Sequence, residues 1–242
     1  MITNRPGFTE ASRAVFKSGF QIETGFQYSK TPTVLKSAGS SDYQEDVLAP
    51  NLGLLYGVSK NVEIRIFANY EGQRISPFNS EYTYDFNSLL VGTKINLIEA
   101  KGLVPEMALL VSLGISTDKF NAKVWPATAL FAWSYSLPAN FGLSGNLSYG
   151  YDLEFEEGYS ITNPNHINYT VNLGYSINDK LGTYAEVYGY NNLGSGTGLD
   201  VKMAGGFMYR INPKLQVDLI GGYGFEEGSY LVNAGFSWLI LK

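Results

Sequence analysis

Apolar and polar residues alternate along most of this chain with a period of two. In "FGLSGNLSYGYDL" (141–153), the odd-numbered positions are mainly large and apolar, and the even-numbered positions are small or polar. This is the pattern of a β-strand whose two faces meet different surroundings. Strands in soluble sheets are usually about half as long, whereas a tilted strand that crosses a membrane needs about 9–11 residues. The stretch therefore predicts a membrane-spanning strand.

The same alternation recurs about twelve times, and the connections between the repeats are alternately short and long. Short turns such as "NDK" (178–180) and longer loops such as "NLGSGTG" (192–198) on opposite sides are typical of outer-membrane barrels. We predict an all-β protein, a transmembrane up-and-down antiparallel β-barrel over residues 18–242, preceded by a periplasmic segment at 1–17. The predicted strands lie near 18–30, 44–58, 62–75, 83–97, 105–116, 123–137, 141–153, 165–177, 181–193, 199–211, 215–226 and 229–241.

Aromatic residues concentrate at both ends of the apolar faces, and the middles of those faces are mostly aliphatic. Tyr and Trp prefer the two boundaries between lipid and water, so two aromatic bands indicate a membrane barrel. Tyr and Phe are also good strand residues, which leaves a soluble β-barrel or sandwich as the alternative; that protein would dissolve without detergent. The predicted lipid-interface girdle consists of Tyr56, Trp125, Trp133, Tyr135, Tyr149, Tyr169, Tyr175, Tyr209, Tyr223 and Trp238.

Composition narrows the function classes. The 242 residues include 27 Gly, 18 Tyr and 14 Phe but no Cys, which excludes disulfides and thiolate metal sites. The net charge of -5 argues against a nucleic-acid surface. No apolar run approaches the roughly 18 residues of a membrane-spanning helix. We expect no metal and no cofactor.

Charged and polar residues on the inward faces lie mostly near the short turns and predict a layer of mixed charge inside one half of the barrel. Opposite charges in such a layer could pair across the lumen and fix the structure, or they could form a constriction that selects solutes by charge. The predicted layer consists of Glu23, Glu63, Arg65, Lys94, Glu106, Glu186, Lys202, Arg210, Gln216 and Asp218.

The first 17 residues lack the alternation of the rest of the chain. We hypothesise that Arg5, Pro6, Thr9 and Glu10 enter the periplasmic mouth as a plug and hydrogen-bond to the charged layer. The alternative is a disordered tail, the common state of chain termini.

Residues that suggest catalysis are few. His166 is the only histidine and has lumen-side parity, so it cannot join a Ser–His pair on the lipid-facing wall. The acids Asp152, Glu154, Glu156 and Glu157 in a long loop are typical of a solvated surface. We therefore predict that the protein is not an enzyme.

The opening "TNRPGFTEAS" (3–12) resembles the Thr-Asp-Arg-Pro-Asp-x-Thr-Glu opening of the outer-membrane family labelled "MetA-pathway of phenol degradation", with Asn4 and Gly7 in place of the two Asp residues. The resemblance implies a barrel that moves small hydrophobic or aromatic compounds. Further stretches that resemble family segments in the expected order are "GFQIETGF" (19–26), "LLYGVSKNVEIRI" (54–66), "LLVGTKINL" (89–97), "PEMALLVSL" (105–113), "AEVYGY" (185–190) and "LQVDLIGGYGF" (215–225).

Together these features predict a channel or transporter in the bacterial outer membrane for small, uncharged or aromatic solutes. The expected partners are the lipid bilayer, lipopolysaccharide, small solutes and subunits of an outer-membrane complex, and no nucleic acid. The alternative function is a closed, non-conducting barrel that serves as a structural or accessory subunit of an outer-membrane protein complex.

Overall fold

The structure is a computed structural model of the chain. It describes residues 1–242 except 2, 6, 33–41, 77, 79–80, 117–123, 155–164, 194–199, 227 and 242, and only the backbone at 87, 116, 124, 153, 154 and 241. Pro6 and most of the long loops, including Glu156 and Glu157, therefore lie outside the described residues.

Twelve β-strands account for most of the described chain, and each begins and ends within two residues of its predicted bounds. They are β1 (Phe20–Pro32), β2 (Tyr43–Gly57), β3 (Val62–Ser76), β4 (Thr83–Ile98), β5 (Glu106–Ser116), β6 (Val124–Ser136), β7 (Phe141–Glu154), β8 (Asn165–Ser176), β9 (Leu181–Asn192), β10 (Asp200–Asn212), β11 (Leu215–Gly224) and β12 (Ser229–Leu241). The prediction of a twelve-stranded all-β protein is confirmed.

The strands form one closed barrel. Each strand pairs with the next in antiparallel fashion, and β1 pairs with β12, for example through Gly25 opposite Gly235. Closure satisfies the backbone N–H and C=O groups of every strand within the wall, as a membrane interior requires. The soluble sandwich, with two stacked sheets, does not match this topology.

The two ends of the barrel differ in the length of their connections. The connections β2–β3, β4–β5, β6–β7, β8–β9 and β10–β11 are short, and we call this side the short-turn end; the opposite side is the long-loop end. Among the described residues, no helix is long and apolar enough to cross a membrane.

The outer face is a continuous apolar surface. Leu113, Leu147 and Leu219 in mid-strand are each more than half exposed, although they are large and aliphatic. A soluble protein rarely exposes such an extended apolar surface, so the exterior fits hydrocarbon, as expected for a transmembrane barrel.

All ten aromatic residues of the predicted girdle have outward parity. Trp133 and Tyr169 are half-buried rather than exposed, because their rings pack over Gly145 and Gly189 on neighbouring strands. A Cβ atom at either glycine would collide with the ring. Tyr135 is also half-buried, and its hydroxyl donates to the Leu103 carbonyl oxygen at 3.2 Å. The remaining seven are exposed: Tyr56, Trp125, Tyr149, Tyr175, Tyr209, Tyr223 and Trp238.

The substitution Leu147→Arg should destabilise the barrel strongly, because Leu147 faces outward in the middle of β7. An arginine at the centre of the hydrocarbon layer costs about 2–4 kcal/mol, and near the boundary about 0–1 kcal/mol. Leu137→Arg, the same change on the outer side next to a short turn, is the matched control. Urea unfolding in lipid vesicles measures both; equal losses of stability would contradict the membrane placement.

Candidate functional site

Most of the predicted charged layer lies inside the barrel near the short-turn end. Strand alternation turns eight of the ten predicted residues into the lumen, where they are buried: Glu23, Glu63, Arg65, Lys94, Glu106, Glu186, Gln216 and Asp218. The other two are less buried. Lys202 is half-buried near the long-loop end, 2.8 Å from Asp200. Arg210 is exposed at the short-turn end, where it lies opposite Gln216 in register and donates to the Asp179 carbonyl oxygen at 3.3 Å.

The N-terminal residues lie inside the lumen and follow the wall around the barrel in strand order. Arg5 contacts β11 and β12, Thr9 contacts β8 and β9, Ser12 contacts β6, Arg13 contacts β5 and Val15 contacts β3. This path places the segment at the height of the charged layer, so that wall residues from nearly every strand meet it.

Arg5 is bound by the wall through its guanidinium group. Nε and Nη2 donate to the two carboxylate oxygens of Asp218 at 3.2 and 2.8 Å, and Nη2 also donates to Oδ1 of Asn233 at 2.5 Å. Gly25 and Gly235 make room for the group, because a Cβ atom at either position would collide with the guanidinium nitrogens. The Arg5 side chain is 11% exposed and that of Asp218 is fully buried. This geometry is the bidentate, charge-assisted pairing that arginine forms best.

Glu186 binds the backbone of the segment. The N–H groups of Phe8 and Thr9 donate to its two carboxylate oxygens at 2.8 and 2.9 Å. The preceding Gly7 has a φ of 104°, a conformation that favours glycine, and a Cβ atom there would lie 2.9 Å from Glu186 Oε2. Successive N–H groups after such a residue form an anion-binding concavity. The hydroxyl of Thr9 also donates to Thr170 Oγ1 at 2.8 Å.

Glu10 is the carboxylate of the segment that pairs with two cations of the wall, Arg65 and Lys94. Nη1 and Nη2 of Arg65 donate to its carboxylate at 2.8–3.0 Å, and Lys94 Nζ lies 3.6 Å away. Arg65 and Lys94 are 4% and 1% exposed. Burial alone would raise the pKa of Glu10, but the charges of Arg65 and Lys94 outweigh it and hold the pKa below its ordinary value. Glu10 is therefore ionised at neutral pH.

The last part of the segment binds two more wall carboxylates. Nε and Nη2 of Arg13 donate to Glu106 at 2.9 and 2.5 Å, and these hydrogen bonds raise the pKa of the Arg13 guanidinium. The N–H of Val15 donates to Glu63 Oε2 at 2.7 Å. The two ends of the segment differ in accessibility: the side chain of Arg13 is 61% exposed, whereas that of Arg5 is 11% exposed.

Cavities lie on both sides of the segment. Toward the long-loop end, a cavity of about 440 Å³ is lined by Phe8, Glu10, Tyr188 and Tyr190 among others. The Phe8 ring stacks on Tyr188 with centroids 4.1 Å apart. At the short-turn end, a cavity of about 410 Å³ lies at the rim of the barrel and is lined by Arg13, Phe16 and turn residues such as Lys60. The segment thus lies between the cavity toward the long-loop end, which we call the long-loop vestibule, and this rim cavity.

His166 lies on the lumen side of β8. Its Nδ1 is 3.8 Å from Asp152 Oδ2, and its ring is 5.5 Å from that of Tyr190. Gly150 on β7 leaves space for the imidazole, since a Cβ atom there would collide with it. The residue therefore faces away from the lipid side of the wall.

The family model described as "Putative MetA-pathway of phenol degradation" matches residues 3–240. The chain belongs to this family. The resemblance predicted from the opening motif and the order of the later segments is confirmed. No curated protein matches the sequence.

Solved structures with the same barrel fold include channels and translocator domains. The COG4313 outer membrane channel from Pseudomonas putida F1 is 12% identical, with a TM-score of 0.73, and the match covers 97% of this chain and 99% of that chain. The CymD monoaromatic hydrocarbon channel is 9% identical, with a TM-score of 0.56, 93% of this chain and 89% of that chain being covered. The translocator domain of autotransporter NalP from Neisseria meningitidis is 12% identical, with a TM-score of 0.55 and coverages of 91% and 88%.

Family membership and fold agree with the apolar exterior, and the protein is a β-barrel of the bacterial outer membrane. Arg5, Thr9 and Glu10 of the opening motif each bind the wall. Sequence reasoning missed the roles of Asn4, whose N–H donates to Glu23 Oε1 at 3.0 Å, and of Arg13. Without alternation in the segment, neither residue could be assigned a face.

Proposed function

We propose that the protein is an outer-membrane channel for small solutes, and that residues 1–17 act as an internal plug in a barrel formed by residues 18–242. The observation that carries the proposal is the position of the segment, bound to the charged layer with a cavity on each side. The family, and the channels among the structures that share the fold, support the same function.

The plug differs from the wall in what holds it. Strand pairing holds the wall closed all the way round without the segment. The segment is held mainly by side-chain hydrogen bonds to the wall, and water can replace those bonds when the segment moves. The barrel therefore has two accessible arrangements that share one wall, which a gated channel requires.

The long-loop vestibule suits small, uncharged or aromatic solutes. Its volume of about 440 Å³ lies within the range of small-molecule sites, about 300–1,000 Å³. The rings of Phe8, Tyr188 and Tyr190 supply apolar faces, and polar wall residues such as Asn168 supply hydrogen bonds. A ring-bearing solute of a few hundred daltons fits this combination.

We also propose that lipopolysaccharide contacts the outer face at the long-loop end. Lys30 and Arg74 have outward parity there and lie on either side of Glu45, opposite it in register. Their cationic groups lie over the rings of Tyr43 and Tyr82, 3.5 and 5.1 Å from the centroids. Two cations beside one carboxylate leave positive charge for a lipid phosphate.

Solute uptake into proteoliposomes tests the channel. The wild-type protein should admit small uncharged solutes faster than protein-free liposomes, and the rate should fall steeply with solute size because the lumen is narrow. An impermeable wild type and an impermeable variant without the segment, together with a stable partner on affinity purification, would support the closed accessory subunit instead.

A further inference from the structure

The wall of the lumen is acidic around the segment. Five buried carboxylates, Glu23, Glu63, Glu106, Glu186 and Asp218, face two buried cations, Arg65 and Lys94. The segment itself brings a carboxylate, Glu10, to those two cations. The wall carboxylates are thereby left to bind the donors of the segment, which are guanidinium and N–H groups.

Six buried side-chain atoms of the wall have no hydrogen-bond partner among the described residues: Glu63 Oε1, Arg65 Nε, Asn69 Oδ1, His166 Nδ1, the Tyr184 hydroxyl and Asp200 Oδ1. The first two face each other at 3.9 Å, beyond hydrogen-bond distance. Asp200 lines the larger cavity toward the long-loop end. Buried polar groups are nearly always paired, so the unpaired oxygen of Asp200 is an acceptor next to that cavity.

The long-loop vestibule adds aromatic rings and further charged groups to this surface. Asp200 lines the larger cavity together with Tyr188 and Tyr190, and its charge is balanced there by Lys202 at 2.8 Å. Asp46 lines an adjoining cavity of about 290 Å³ that shares Phe8, Tyr188 and Lys202 with the larger one. Aromatic faces attract cations, and a narrow acidic passage concentrates cations and repels anions.

We infer that the lumen prefers small organic cations, such as protonated amines, over anions of the same size. The inference rests on the proposed channel function and adds to it a preference among charged solutes. An ammonium group meets more carboxylates than cations in the charged layer, and its organic part meets the rings in the vestibule. At the segment, the ammonium group competes with the N–H and guanidinium donors for Glu186 and Asp218.

Reversal potentials in planar bilayers test the preference. The samples are the full-length wild type and the full-length variant Arg5→Ala, in which the segment is loosened. In a gradient of benzylammonium chloride, benzylammonium should carry more current than chloride. In a gradient of potassium benzoate, potassium should carry more than benzoate, although benzoate matches benzylammonium in its ring.

Neutralising the wall should weaken the preference. Adding Glu186→Gln and Asp218→Asn to Arg5→Ala should shift both reversal potentials toward zero. Glu81→Gln is the matched control, because Glu81 is an exposed carboxylate just before β4 and lines none of the cavities named above; it should leave the potentials unchanged. Heat-dependent migration on gels verifies that each variant is folded.

The outcomes separate this inference from the channel proposal. Conductance with equal permeabilities, or with a preference for the anion, overturns the cation preference and leaves the channel intact. No conductance in either the wild type or Arg5→Ala overturns both. If the wall variants fail to fold, the sign of the two potentials in the parent proteins decides the question alone.

Discussion

Deletion of residues 2–16 should raise the time-averaged conductance of the barrel about a hundredfold, by a shift of about 3 kcal/mol in the balance between closed and open states. The physical reason is that the segment lies inside the barrel at the height of the charged layer and binds wall carboxylates on several strands. Without the segment these carboxylates face water and lose nothing that water cannot replace. Single-channel recording in planar bilayers measures the change.

A full-length chain in which the order of residues 2–16 is scrambled is the matched control for the deletion. It keeps length and composition but separates Arg5, Glu10 and Arg13 from their wall partners, so it should conduct like the deletion. A synthetic peptide of residues 1–17 added to the deleted barrel should restore closure. Conductance traces that do not change on deletion would contradict the plug.

The barrel was predictable because every strand of the wall has one face toward lipid and one face toward the lumen. A strand of ten or more residues between hydrocarbon and lumen must alternate, and no other element competes for the same pattern. The predicted strand 181–193 alternates less cleanly, because it places Tyr184 and Tyr188 on the same face as Glu186. That face lies in the lumen, where Tyr188 stacks on Phe8 and Glu186 binds the backbone of the segment.

The contacts of the segment were not predictable at the same level. Parity gives the face of a residue but not its height or its neighbour across the lumen, so Lys202, which lies near the long-loop end, was grouped with residues near the short-turn end. The need for glycine at position 7 depends on Glu186, which is distant in sequence. An aspartate there, as in the family opening, would place a second carboxylate against Glu186.

The two interpretations of the charged layer describe two states of one proposed device. With the segment bound, the layer is a structural network in which Glu10 pairs with Arg65 and Lys94. With the segment displaced, the same wall carboxylates line an open passage and select among solutes. The wall carboxylates that accept hydrogen bonds from the segment are then the groups that meet the solute, which couples solute entry to plug movement.

Arg5→Ala should open the channel far more than Arg13→Ala, although both remove one guanidinium from the segment. The Arg5 side chain is 11% exposed and its partner Asp218 is fully buried, whereas that of Arg13 is 61% exposed. Breaking a buried pair from one side costs about 3–5 kcal/mol, and losing an exposed pair costs about 0–1 kcal/mol. The open fraction in single-channel records should therefore rise for Arg5→Ala to close to the level of the deletion, up to about a hundredfold, and by less than about tenfold for Arg13→Ala.

Arg5→Lys separates charge from geometry at the same position. Lysine keeps the positive charge but cannot donate in parallel to both oxygens of Asp218 and also reach Asn233. The open fraction of Arg5→Lys should fall between those of the wild type and Arg5→Ala. Equal effects of Arg5→Ala and Arg13→Ala would show that burial of the ion pair does not determine how tightly the segment is bound. The backbone hydrogen bonds to Glu186 and Glu63 would then hold the segment in place.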